Sequence, residues 1–157
     1  MSNFRTTVPQ RFPPIVKNLI IINVLVWIAQ LMYDKSNGEY TMFLTSKIAL
    51  WPFDTANFEP YQIATHMFAH SSYGAGGSIE FFHILVNMFM LYMFGRILEN
   101  VWGAKRFLFF YLACGIGAAV AHLGMQYFMG GAAPAVGASG AVMGVFVAFA
   151  YLFPNTE

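Results

Sequence analysis

The stretch "FLFFYLACGIGAAVAHLGMQYFM", residues 107–129, contains no Lys, Arg, Asp or Glu. It is as long as a helix that crosses the hydrocarbon of a bilayer, which takes roughly 17–25 mostly apolar residues. Such a run is either buried in a large soluble core or placed in lipid. Composition decides for lipid: of 157 residues, 58% are apolar, 18% aromatic and only 10% charged, far outside the usage of soluble domains. Three further apolar runs accompany it: "LIIINVLVWIAQLMY" (19–33), "FFHILVNMFMLYMFG" (81–95) and "ASGAVMGVFVAFAYLF" (138–153). The expectation is an all-α, polytopic helical bundle forming a single membrane domain over residues 1–157. Its spans are expected at about 15–33, 81–99, 106–129 and 138–153, with no internal repeat. The first run follows a polar, proline-containing segment and precedes no small-residue cleavage site, so it reads as a retained span rather than a secretory signal.

Orientation follows from the basic residues. Arg5, Arg11 and Lys17 precede the first span, and Arg96, Lys105 and Arg106 separate the second from the third, whereas the 34–80 connection holds only Lys35 and Lys47. The positive-inside rule puts the N-terminus and the 96–106 loop in the cytoplasm and the 34–80 segment outside. The uncharged "GGAAPAVG" connection (130–137) is then external too, and the fourth span runs inward from Ser139. The stretch "MFLTSKIALWPFDTANFEPYQIATHMFAH" (42–70) is too aromatic for an ordinary hydrated loop, which suggests short helices lying in the outer interface. The "SSYGAGGS" that follows (71–78) reads as a flexible connection.

Depth turns spacing into chemistry. If the second span enters near Glu80, His83 lies about one turn inside it, and Asn87, four residues on, shares its face. Ser139 opens the fourth span from the same side. A serine at a helix N-terminus, flanked by glycines, sits among unpaired amides that can hold a developing oxyanion, and His83 and Asn87 can add donors. The serine still needs a general base. A second reading stands beside this one: "GASG" with Gly144 is also a small-residue string of the kind that packs membrane helices, and an intramembrane His or Asn is often an interhelical hydrogen bond. His66 and His70 are spaced like the start of a zinc site, but "HMFAH" lacks the glutamate of the H-E-x-x-H pattern, so no metal is expected there. Cys114 has no thiolate-stabilising neighbour in sequence and reads as packing. His122, in the middle of the third span, is expected to lie too deep to sit beside Ser139.

Together these residues resemble the rhomboid family of intramembrane serine proteases. "HILVN" (His83 to Asn87) is similar to the family's H-x-x-x-N, "GASG" (Gly137 to Gly140) to its G-x-S-G, and "LENVWGAKRFLFFYL" to the segment joining its second and third spans. The resemblance implies Ser139 as nucleophile, His83, Asn87 and the Ser139 amide as the oxyanion hole, Gly137 and Gly140 as the glycines of a tight turn, and Glu99 with Gly103 as structural. It implies a Ser–His dyad that cuts transmembrane segments of other proteins near their outer ends, without metal or cofactor. The partners expected are therefore such segments and the lipid bilayer, not nucleic acid, in a bacterial plasma membrane; nothing in the sequence sets the oligomeric state.

The departures from the family pattern shape the expectation. The family core has six transmembrane helices with its catalytic histidine on the sixth, whereas these residues supply four, so the chain is expected to be a C-terminally incomplete piece without its base and inactive by itself. "AHLG" (121–124) differs from the family's A-H-x-x-G, and His122 is not assigned the base. Tyr61-Gln62 stands where some members carry Trp-Arg, a Gly-rich insert precedes Glu80, and Met143 occupies a position often aromatic. Two rival classes remain: a non-catalytic relative that binds transmembrane clients, and a small channel or transporter subunit.

Overall fold

The computed structural model describes residues 12–36 and 38–154. Four helical rods organise it. Helix α1 (Pro14–Tyr33) starts on a proline, which costs nothing at a position whose amide has no helical partner. Its N-terminus has no cap from its own sequence. Instead the Glu99 carboxylate accepts the amides of Ile15 (2.9 Å) and Val16 (2.8 Å) from across the bundle, placing a negative charge on the positive end of the helix dipole. Val16, Leu19, Asn23 and Gln30, the buried residues of α1, recur on the face turned to the other helices.

Between α1 and the next rod lies a folded connection. A two-residue pairing of β1 (Lys35–Ser36) with β2 (Glu39–Tyr40) precedes α2 (Phe43–Ile48), and α3 (Gln62–Thr65) runs into a 3₁₀ turn at His66–Phe68. The second rod, Phe82–Trp102, joins α4 (Phe82–Met90) to α5 (Arg96–Trp102) through a π-helical turn at Leu91–Gly95. Gly95 lets Val16, Leu91 and Phe107 close on the backbone there. Gly103, with φ of 81°, breaks the rod, and α6 (Ala104–Met129) follows until Gly130 ends it in a left-handed cap whose amide donates to the Gln126 carbonyl (2.8 Å). Helix α7 (Ser139–Leu152) closes the described chain.

Three of these rods, Pro14–Tyr33, Phe82–Trp102 and Ala104–Met129, are long and apolar enough to cross a bilayer, and α7 is a shorter apolar helix. Their outward faces stay apolar, with Phe109, Phe128 and Tyr151 among the most exposed side chains, as lipid requires and water would penalise. The chain is an all-α membrane protein. Its core gathers Val16, Leu19, Met67, Leu91, Leu98, Phe107, Tyr111 and Val145. Because Glu99 caps α1, Lys17 and Lys105 belong to one end of the bundle; Arg5 and Arg11, the other residues of the N-terminal charge cluster, lie outside the described residues.

The 34–80 connection carries the short helices expected of it, α2 and α3. It is folded onto the bundle through buried polar groups. The Asp34 carboxylate, fully buried, accepts the amides of Leu44 (2.7 Å) and Thr45 (2.9 Å), which cap α2, and the hydroxyls of Thr45 (2.5 Å) and Ser72 (2.8 Å). Gln30 of α1 donates to the Thr45 hydroxyl (2.6 Å) and the His70 carbonyl (2.8 Å) and accepts the His70 amide (3.0 Å). Burial without such partners would be costly. The 71–78 segment likewise differs from the flexible connection expected: a Tyr73–Ile79 bridge, a Gly74 amide to Ser78 carbonyl bond (2.9 Å) and the Tyr40 hydroxyl on the Gly77 carbonyl (2.9 Å) tie it down.

Candidate active site

The turn before α7 is built from outside it. Leu50 and Ala135 exchange both backbone hydrogen bonds at 2.9 Å, and the Gly137 amide donates to the His66 carbonyl (2.9 Å), so the 34–80 connection holds the 130–138 segment down on the bundle. Gly137 adopts φ of 118°, a region that disfavours any side chain. A Cβ there would stand 2.9 Å from Cε1 and Nε2 of His83 and 3.7 Å from Oγ of Ser139. The glycine therefore makes room for both groups at once.

Ser139 follows as the first residue of α7, and its amide has no backbone acceptor among the described residues, as expected of a helix's first turn. His83, Asn87 and Ser139 line one cavity of about 360 Å³, whose other walls are Glu80, Phe82, Val86, Met90, Val142 and Met143. The Asn87 amide nitrogen donates one hydrogen to the His83 carbonyl (2.8 Å), leaving its second hydrogen available. The His83 ring meets His70 edge-on, centroids 5.3 Å apart. His70 in turn is held by Asn23, whose Oδ1 lies 2.9 Å from His70 Nε2. Burial, reinforced by His83, pushes the His70 pKa down to about 4, so this support is a neutral ring at neutral pH.

The placement of His122 corrects the expectation that it lies too deep. His122, His66 and Ser139 line a second cavity of about 150 Å³ on the other side of the turn. The reason is that α7 does not start level with the end of α6. A Cβ on Gly140 would meet Ala118, so the turn at Ser139 sits eleven residues, about 16 Å along the helix, below Met129. The segment from Gly130 to Ala138 runs back into the bundle before α7 begins. Even so, among the described residues no histidine nitrogen forms a hydrogen bond with Ser139 Oγ.

His66 and His70 do not converge on a shared point. His66 Nδ1 lies 3.0 Å from the Gln62 carbonyl while His70 turns to Asn23, and no group of three or more His, Cys, Asp or Glu among the described residues is arranged to hold a metal. Burial lowers the His66 pKa, with His122 acting in the same direction. Cys114 packs against Gly144, and Ala118 one turn on packs against Gly140. The small-residue reading of "GASG" thus applies to Gly140, packed against α6, and the site reading to Gly137 and Ser139, beside His83. Sequence reasoning missed Asn23 and Asp34: polar residues next to or within an apolar run were the available signal, since such groups are placed only where a partner waits.

Residues 57–157 match the family model described as Rhomboid domain. The chain is 35% identical over 80 residues to Rhomboid protein 1, mitochondrial, of Saccharomyces cerevisiae, covering 50% of this chain and 23% of that protein. It is 29% identical over 128 residues to Rhomboid-like protein 11, chloroplastic, of Arabidopsis thaliana, covering 82% of this chain and 38% of that one. It therefore spans well under half the length of either relative. No solved structure matches it. With the family model covering the turn at Ser139, the cavity at His83 and Asn87 and two of the three long apolar rods, the chain belongs to the rhomboid family.

Proposed function

We propose that Ser139 is the nucleophile of an intramembrane serine endopeptidase that cleaves transmembrane segments of other membrane proteins. The observation that carries this reading is the single cavity lined by Ser139, His83 and Asn87. In the reaction, Ser139 Oγ attacks the scissile carbonyl carbon as its proton passes to a base, and the carbonyl electron pair moves onto oxygen. The His83 ring, the free hydrogen of the Asn87 amide and the Ser139 backbone amide receive that oxyanion. Collapse breaks the C–N bond, the base returns its proton to the leaving amine, and water then releases the acyl group from Ser139 by the same route.

The base in this reading is a histidine, the role that the family resemblance gives to a helix beyond the four described; among the described residues no histidine is hydrogen-bonded to Ser139 Oγ, and residues 1–157 alone are expected to be inactive. On the distribution of Lys and Arg the N-terminus faces the cytoplasm and the site the outer face. The compartment is for fractionation to decide: the bacterial plasma membrane of the sequence reading competes with the organelles for which the two relatives are named.

The test is fluorophosphonate labelling of the full-length protein in detergent. Labelling of the wild type that disappears in Ser139→Ala is the expected result; labelling that survives the substitution rejects Ser139. His83→Ala or Asn87→Ala should lower turnover by about 10–1000-fold with little loss of folded protein. Equal loss of folded protein would point to interhelical packing instead. The same missing hydrogen bond to Ser139 favours a second reading, a non-catalytic member that binds transmembrane clients. Full-length wild type that binds such segments yet never reacts with the probe would establish it.

A further inference from the structure

One charged side chain lines the cavity of Ser139, His83 and Asn87, and the reaction above makes no use of it: Glu80. The remaining walls, Phe82, Val86, Met90, Val142 and Met143, are apolar. Glu80 stands at the end of the trough where α4 begins, at the close of the segment that runs from Ser71. Its backbone is fixed, since its amide donates to the Ser72 carbonyl (3.0 Å) beside the Tyr73–Ile79 bridge. Its side chain folds over Gly74, where a Cβ would stand 3.7 Å from Cδ and 3.8 Å from Oε1 of Glu80. The carboxylate is thus presented by a bonded loop and not by a free arm.

Among the described residues this carboxylate has no hydrogen-bond donor and no cation. Lys35, the cation of the 34–36 segment, sits over the Tyr40 ring, 5.3 Å from its centroid. A carboxylate at the rim of an apolar trough projects its field along a path of low dielectric, where charges interact more strongly than in open water. Glu80 is exposed at the rim and the trough offers it no cation of its own, so a basic side chain on the occupant is the partner it is free to take. Glu80 makes no hydrogen bond to His83 or Ser139, which leaves recognition rather than proton transfer as its role.

We infer that Glu80 forms a subsite for a cationic side chain, Lys or Arg, of the protein segment that enters the trough: the apolar walls take the segment's apolar residues, and Glu80 takes the basic residue with which it leaves the hydrocarbon at the α4 end. The subsite rests on reading the trough as the place where a membrane segment binds. It makes this member charge-selective, preferring segments with a basic flank and disfavouring those with an acidic one.

The experiment measures equilibrium binding to the full-length Ser139→Ala protein in dodecyl maltoside. The probes are synthetic transmembrane segments alike except for a single Lys, Gln or Glu, placed in turn at each of the first few positions flanking the apolar stretch. At the position that reaches Glu80, the Lys segment should bind about fivefold more tightly than the Gln segment, with the Glu segment weaker than both. The difference should shrink as salt is raised. Glu80→Gln should level the series, and Glu80→Lys should invert it. Equal affinity for the three segments at every position overturns the subsite. So does a charge series that Glu80→Gln leaves unchanged, which would place the selectivity in detergent or lipid headgroups. Wild-type labelling by the neutral fluorophosphonate, run in parallel, reports on Ser139 separately: a charge series without labelling removes the protease reading and keeps the subsite, and labelling without a charge series does the reverse. A thermal transition in dodecyl maltoside for Glu80→Gln equal to that of the protein with Glu80 intact shows that the variant is folded.

Discussion

The two flanks of helix α7 use the same kind of residue against different neighbours. Toward α6, Gly140 and Gly144 leave no space, since Ala118 and Cys114 occupy the positions that side chains would take. Close approach of this sort is how helices associate in lipid, where apolar burial alone gives no advantage over contact with acyl chains. Toward α4, Gly137 likewise has no room for a side chain, but what fills the place is the His83 ring, 2.9 Å from where a Cβ would stand, and His83 with Ser139 lines the trough. One flank is a seam of close contacts that fixes the height of α7; the other sets the His83 ring beside the turn at the edge of the trough. The contrast shows that a short motif, "GASG", need not be either packing or chemistry: its glycines belong to different flanks.

Substitutions can separate the two. The largest effect is expected from Gly144→Leu, which forces a branched side chain onto Cys114; overpacking of this size should cost about 3 kcal/mol or more, read as a collapse of the thermal transition in detergent. Gly137→Ala should act on the trough. The methyl group would need the volume of the His83 ring at a φ of 118°, so probe labelling of Ser139 should fall at least tenfold while stability drops by only about 1–2 kcal/mol. Loss of fold equal to that of Gly144→Leu would erase the distinction between the flanks.

Next in size is a pH effect on the support behind His83. His70 has a folded pKa of about 4 against an ordinary 6.5, so between those values the unfolded chain binds the extra proton. Stability is therefore full above about pH 6.5, falls as pH drops toward 4, and levels off below, by about 3 kcal/mol from this residue. His66, lowered by burial as well, acts with the same sign. Unfolding measured across that range should show the slope, and His70→Gln should flatten it; an unchanged slope would remove His70 as its source. The smallest effect is expected at Glu99→Ala, which uncaps α1 at the bundle end remote from the trough. It should cost about 1–2 kcal/mol and leave labelling of the folded fraction intact, and a selective loss of labelling would show that the two ends are coupled.

The apolar runs by themselves determined the membrane class, the helical architecture and the places of the four main rods, because lipid admits only a chain that satisfies its backbone within each segment. The spacing of His83 to Asn87 placed both on one helical face, and it pointed to Ser139 as their companion. Other features depended on groups far apart in sequence, which no local pattern encodes. The Asp34, Gln30 and His70 network folds the 34–80 connection onto α1, and that connection, through the His66 carbonyl and the Leu50–Ala135 pair, draws the turn before Ser139 into the bundle. Alternation of spans put Ser139 at the end of its helix pair and His122 out of reach. Only the tertiary structure set the true height, because the depth at which a helix starts is fixed by what it packs against, here Ala118 and Cys114, and not by the length of its own apolar run.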